Sequence, residues 1–243
     1  MSFGKSIPGE TPIDDISGLK IKGLSTRGEL NQVEAENVRK AIVKYLSGKP
    51  TRNLAPFDLS WALKLHKEMF GDVWTWAGEI RKTDLNIGVA WHQVEICLHE
   101  LLVNAAHWNQ LGTDLVEQSA MLHHRAVYIH PFMNGNGRWA RMMGNIWLRL
   151  HDRDIIAWPE ETIGSESTIR TQYLATIQAA DDGDFSSLIE LHRKYAAAPF
   201  PWAAVQPQQP KQPTWHPAHL SGGTVAPILP EEKKPAPPKQ TES

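Results

Sequence analysis

The chain is poor in cysteine, with one, Cys97, in 243 residues. A single thiol excludes an internal disulfide framework and any zinc site built on cysteine pairs. Cys97 falls in an apolar helical register and reads as a core thiol. An excess of either charge is also missing. Lys and Arg number 25 against 27 Asp and Glu, a formal net charge of −2. With no basic stripe and no basic recognition helix, direct nucleic-acid binding is not expected. Long apolar runs are absent as well. Nothing approaches the roughly 18 residues of a membrane span, and the start, MSFGKSIPGETPIDD, lacks the apolar stretch of a signal peptide. These absences point to a cytoplasmic chain with no membrane attachment.

What is present is helical patterning over a long central stretch. Hydrophobic residues make up 41% of the chain and charged residues 21%, enough for a packed core. Residues 1–25 are polar and read as an extended or loosely ordered arm. Val38, Ala41, Ile42, Tyr45 and Leu46 share one stripe of a helix expected over about Glu29–Leu46. Phe57, Trp61, Leu65 and Met69, each four apart, mark a second helix. Segment 74–91 loses the helical period, and Gly78 and Gly88 bracket a loop with a short hairpin, a flap at about 79–90. Helical spacing returns at Val94–Trp108, at Leu115–Ile129, from about Gly137 to Leu150, and over about 166–180 and 184–196. From Pro199 onward the composition changes. Eleven of the 17 prolines fall in 199–243, and a disordered tail over 198–243 is expected. Residues 26–197 thus read as one all-α domain, a helical bundle with a flap.

The chemistry concentrates in residues 130–141, HPFMNGNGRWAR. His130 precedes Pro131, which stops the helix behind it, so the imidazole projects from a loop. Its ordinary pKa of about 6.5 suits a general base. Gly135, Asn136 and Gly137 form a turn that lets a ligand approach the backbone. The helix opening there offers unpaired N–H groups and a positive dipole end, a site for phosphate. Arg138 and Arg141, three apart, lie on one helical face as two forked cationic donors. His123 and His124 are adjacent on a helix and point about 100° apart, so packing or solvent exposure is expected of them and not metal ligation.

The string resembles the active-site signature of Fic domains, HPFx(D/E)GNGRxxR, and departs from it at Asn134. FGDVWTWAGEIRKTD resembles the Fic flap region, and HHRAVYIHPF the helix approaching the motif. GETPIDDISGL and STRGELNQVEAEN are similar to the bacterial subfamily called mobile mystery protein B. The resemblance covers roughly residues 9–196. It implies the Fic fold and transfer of AMP from ATP to a Ser, Thr or Tyr hydroxyl of a target protein. His130 would deprotonate that hydroxyl. Gly135, Asn136 and Gly137 would hold the α- and β-phosphates, Arg138 would clamp them, and Arg141 would meet the γ-phosphate. The flap would hold the target segment by strand-like pairing.

The resemblance also implies Mg2+ bound with ATP, through the residue at position 134. Asn134 offers a neutral oxygen where the family carries a carboxylate, and Mg2+ favours carboxylates, phosphates and water. A slower AMP transferase, another donor or metal arrangement, and a nucleotide binder without transfer all stay open. So does transfer of a different nucleotide or phosphate-containing group. A regulatory partner of a helix-turn-helix DNA-binding protein is a further alternative. Many family members carry an inhibitory (S/T)xxxE(G/N) helix. Ser25 and Glu29 keep that spacing, with Leu30 following, but Thr26 and Glu29 also form the capping box of an ordinary helix start.

Overall fold

The computed structural model describes residues 16–24 and 26–198. The expectations for residues 1–15, Ser25 and the tail from 199 onward lie outside the described residues. Among those described, the secondary structure is helical: α1 (Arg27–Leu46), α2 (Leu59–Phe70), a 3-10 turn at Trp91–Gln93, α3 (Val94–Gln110), α4 (Leu115–Ile129), α5 (Asn136–Leu150), α6 (Glu160–Ile163), α7 (Thr168–Asp181) and α8 (Ser186–Ala196). None of these helices is long and apolar enough to cross a membrane.

Side-chain caps set several of the starts. Thr26 Oγ1 accepts from Glu29 N–H while the Glu29 carboxylate accepts from Thr26 N–H, which completes the capping box. Asp58, Asp114 and Ser167 cap α2, α4 and α7 with a side-chain oxygen that accepts from first-turn N–H groups. The Asp58 cap moves the start of α2 past Phe57. That residue has φ of 60° and packs from outside the helix, its ring 4.3 Å from Trp61 and 4.9 Å from Trp147.

Helix α5 is the central element, buried along most of its length, with an apolar face toward the core and Arg138 and Arg141 on another. Trp139, Met142, Met143, Ile146 and Trp147 are all buried. On one side they join α1, α2 and α3 in the larger core, with Leu30, Tyr45, Leu65 and Leu98. On the other side Leu148 meets α7, α8 and the loop before α6 through Trp158, Tyr173, Ile177 and Leu188. Gly144 lets α5 cross α4 closely, since a Cβ there would lie 2.8 Å from Ser119 Oγ. Asn145 ties the loop after α5 to the helix by bonding both the N–H and the C=O of Ile156.

The described part of the arm is extended, and the flap differs from what its composition suggests. Residues 18–20 lie against 73–75: Lys20 N–H donates to Val73 O at 2.8 Å, and Thr75 N–H to Gly18 O at 2.8 Å. Leu19 and Trp74 form an isolated antiparallel bridge there. Segment 79–90 is a loop and carries no hairpin ladder. Carbonyls that a hairpin would pair, those of Thr83 and Val89, instead accept from the Arg81 guanidinium.

Candidate active site

His130 is the residue by which the chain leaves α4. It sits in the left-handed region, φ 53° and ψ 60°, an uncommon and strained place for a residue with a Cβ. Arg81 holds it there. Arg81 Nε donates to His130 O at 2.7 Å and its backbone N–H to Pro131 O at 3.0 Å. Gly88, φ 100°, lies so close that a Cβ on it would stand 2.6 Å from His130 Cβ. The flap therefore rests directly on the histidine. His130 Nδ1 is 3.2 Å from Val127 O. A carbonyl can only accept, so Nδ1 carries the proton and Nε2 keeps its lone pair. Burial pushes the imidazole pKa down to about 4, with a smaller contribution from the Arg81 cation, while the Val127 bond opposes both.

The turn after His130 is closed by its own side chains. Asn136 Oδ1 accepts from Phe132 N–H at 2.9 Å and its Nδ2 donates to Phe132 O at 2.8 Å. Its amide is thereby committed to the turn, and only its backbone N–H faces a ligand. Gly135 has φ of 80°, and a Cβ there would strike the Phe70 ring at 2.7 Å, so glycine is needed for conformation and for space. The first N–H to find a partner in α5 is that of Trp139, on Gly135 O. The N–H groups of Asn136, Gly137 and Arg138 precede it at the positive end of the helix. Beneath the turn lies His66 of α2, stacked on Phe132 with ring centroids 3.6 Å apart. Gly78 N–H donates to its Nδ1 at 2.9 Å, so Nε2 carries the proton and donates to Asn134 O at 3.0 Å. Burial lowers the His66 pKa to about 3, and the imidazole stays neutral.

Both motif arginines meet carboxylates. Arg138 Nη1 is 2.7 Å from Glu34 Oε2 of α1, and its guanidinium lies over the Phe70 ring, 4.7 Å from the centroid. Glu34 also accepts from Trp74 Nε1 at 2.6 Å. Arg141 holds Glu160 with two nitrogens, Nε at 2.8 Å and Nη2 in a second, shorter contact. Its Nη1 is 3.4 Å from the Tyr173 hydroxyl. Glu29 takes part in the capping box of α1, and Glu34 and Glu160 are carboxylates bonded to the two arginines. Ser25 lies outside the described residues.

Residues 56–148 match the model of the Fic/DOC family. The chain carries a Fic domain. The protein adenylyltransferase fic-1 of Caenorhabditis elegans is 26% identical over 187 residues, 75% of this chain and 35% of its own length. The protein adenylyltransferase VbhT of Bartonella schoenbuchensis is 37% identical over 97 residues, 35% of this chain and 20% of its own. This chain thus spans about a third or less of the length of these relatives. The crystal structure of BepC from Bartonella tribocorum, with bound AMPPNP, superposes with a TM-score of 0.55 at 20% identity, covering 74% of this chain and 92% of that one. The all-α fold is the Fic fold.

In this Fic domain the motif opens onto a cavity of about 1090 Å³, ample for a nucleotide. His130, the 134–138 turn and Arg141 form its floor, α1 supplies one wall, and the 156–165 loop with α6 supplies another. Asn134 lines the cavity, but its Oδ1 accepts from Gly135 N–H at 2.6 Å. No group of three His, Cys, Asp or Glu able to hold a metal occurs among the described residues. One neutral, already bonded oxygen is a poor fit to a protein-held Mg2+.

The structure brings His130, Gly135, Asn136, Gly137, Arg138 and Arg141 together as the motif expects. Glu34, His66, Arg81, Glu160 and Tyr173 join them without having been singled out in the sequence. Glu34 looks like one more polar residue of an amphipathic helix, and His66 adjoins an apolar stripe. Arg81 was the most accessible of the five, since it lies inside the AGEIR segment of the flap resemblance.

Proposed function

We propose that this chain is a protein adenylyltransferase, moving AMP from ATP to a Ser, Thr or Tyr hydroxyl of a target protein. One observation carries the reading. A neutral imidazole with an unprotonated Nε2 shares a cavity with a helix N-terminus offering three backbone N–H groups and with two arginines. His130 Nε2 takes the proton of the attacking hydroxyl as its oxygen bonds to the α-phosphorus and pyrophosphate leaves. The N–H groups of Asn136, Gly137 and Arg138 stabilise the charge on the phosphate oxygens. Arg138 and Arg141 neutralise the departing phosphates once Arg138 swings off Glu34 and Glu160 leaves Arg141. A pKa of about 4 leaves the base fully deprotonated near neutral pH, and bound phosphate anions raise it toward the working range.

Mg2+ would enter with ATP and supply charge neutralisation at the phosphates, with Asn134 offering at most a neutral oxygen in place of a carboxylate. The target segment lies along the flap beside Gly88 and His130, in a cytoplasmic setting where ATP is plentiful. The Asn134 side chain favours a second reading in which nucleotide is bound and transfer is slow. In that case the chain would serve as the nucleotide-sensing partner of a DNA-binding protein.

Incubation with α-labelled ATP and a cell lysate separates the two readings. Wild type should label protein. His130→Ala should lower labelling by roughly 10²–10⁴-fold while calorimetric ATP binding persists. Unlabelled lysate with intact ATP binding would leave only the second reading. Asn134→Asp restores a carboxylate ligand and should raise the rate at low Mg2+ several-fold, read from labelling across a Mg2+ titration. An unchanged Mg2+ dependence would remove position 134 from metal binding.

A further inference from the structure

Behind Arg141 runs a buried chain of hydrogen bonds that the transfer chemistry does not use. His192 Nδ1 is 2.8 Å from Leu188 O, and its Nε2 is 3.3 Å from His123 Nδ1. His123 Nε2 is 3.0 Å from the Tyr173 hydroxyl, which is 3.4 Å from Arg141 Nη1. All four side chains are buried, and Trp158 packs edge-on against both imidazoles.

The two ends of this chain fix every proton in it. The Leu188 carbonyl can only accept, so His192 carries its proton on Nδ1 and leaves Nε2 bare. His123 must then donate from Nδ1, which leaves its own Nε2 to accept the Tyr173 O–H. A guanidinium can only donate, so Arg141 Nη1–H points at the Tyr173 oxygen. One direction of donation satisfies all five groups, and both histidines are neutral in it. Burial acts the same way, lowering the pKa of His192 to about 4 and that of His123 as well.

Arg141 has two sets of contacts with different exposure. Glu160 takes Nε and Nη2 and is 46% exposed. Tyr173 takes Nη1, the nitrogen 3.4 Å from the place a Cβ on Gly137 would occupy. When phosphate displaces Glu160, Tyr173 is the remaining side chain holding the plane of the guanidinium.

We propose that Tyr173, fixed in turn by His123 and His192, is a positioning residue that aims the Arg141 guanidinium at the distal phosphates of the bound nucleotide. The proposal rests on the reading of Arg141 as a phosphate clamp. The relay makes no bond to the nucleotide and transfers no proton. Its neutral, one-way order keeps the Tyr173 oxygen turned toward Arg141.

The test compares ATP and AMP binding by calorimetry on the full chain. AMP lacks the distal phosphates and does not need Arg141 aimed. Arg141→Ala should weaken ATP strongly and AMP hardly at all. Tyr173→Phe should weaken ATP about tenfold and AMP less than twofold, with an unchanged circular dichroism spectrum. Should Tyr173→Phe fail to fold, His192→Gln is read instead, with ATP weakened about threefold and AMP spared. Equal loss of ATP and AMP would mark a packing defect and overturn the proposal. An ATP-selective loss in Arg141→Ala with none in Tyr173→Phe would also overturn it, while the clamp reading stands. If Arg141→Ala itself shows no selectivity, the clamp reading fails and the proposal fails with it.

Discussion

The two arginines of the motif are three residues apart on α5 and each is paired to a glutamate, yet the pairs are inverted. Arg138 is 30% exposed and its partner Glu34 only 2%. Arg141 is 5% exposed and its partner Glu160 46%. In each pair one member is fixed in the interior and the other can reach water. Glu34 cannot leave, since its carboxylate also accepts from the buried Trp74 Nε1 and an orphaned indole N–H is costly. Arg138 must therefore swing if it is to meet a phosphate. Around Arg141 the mobile partner is the carboxylate, which departs into solvent at low cost. The same pairing of charges thus gives one clamp that moves to its ligand and one that waits to be uncovered.

The largest effect should come from the fixed carboxylate. Glu34→Ala strands the Trp74 indole N–H and leaves Arg138 without its partner. We expect a loss of about 3 kcal/mol in unfolding stability, measured by urea denaturation. A loss below about 1 kcal/mol would mean that this pair behaves like a surface ion pair, and the inversion would disappear.

Acidification tests the Arg141 side, where His123 and His192 stand behind the arginine. The folded-state pKa of His192 is about 4, below its ordinary value of about 6.5. Below pH ~6.5 the unfolded chain binds the proton and the folded chain does not, so stability falls as pH drops toward ~4. His66, His123 and His130 shift in the same direction. The slope should be on the order of 1 kcal/mol per histidine per pH unit, read from urea midpoints between pH 7 and 5. His192→Gln should flatten it by one share, and an unaltered slope would mean that His192 is not held neutral in the fold.

The smallest effect is expected at the exposed carboxylate. Glu160→Gln removes the charge that competes with phosphate for Arg141. ATP affinity should rise about fivefold, roughly 1 kcal/mol, with little change in melting temperature. Weaker ATP binding would instead show Glu160 holding Arg141 in place for the ligand.

The helices were legible because their stripes are long and regular, and the capping box at Thr26 and Glu29 was written in the sequence. The motif was legible because its residues are contiguous. What escaped shares one physical property, dependence on distant partners. Helix α6 has four residues, too few for any period, yet it delivers Glu160. The pairing of Glu34 with Arg138 spans about a hundred residues, and no local pattern distinguishes it from a solvated glutamate. The hairpin expected at 79–90 failed because Arg81, a single buried side chain, takes the carbonyls that a ladder would need.

The Asn136 amide, bonded to both the N–H and the C=O of Phe132, carries a thermodynamic consequence. It occupies the place a neighbouring strand would take, so the cradle is shaped during folding and not by its ligand. The conformational entropy of ordering that turn is lost once, when the chain folds. A nucleotide arriving later meets a rigid receptor and is spared that cost.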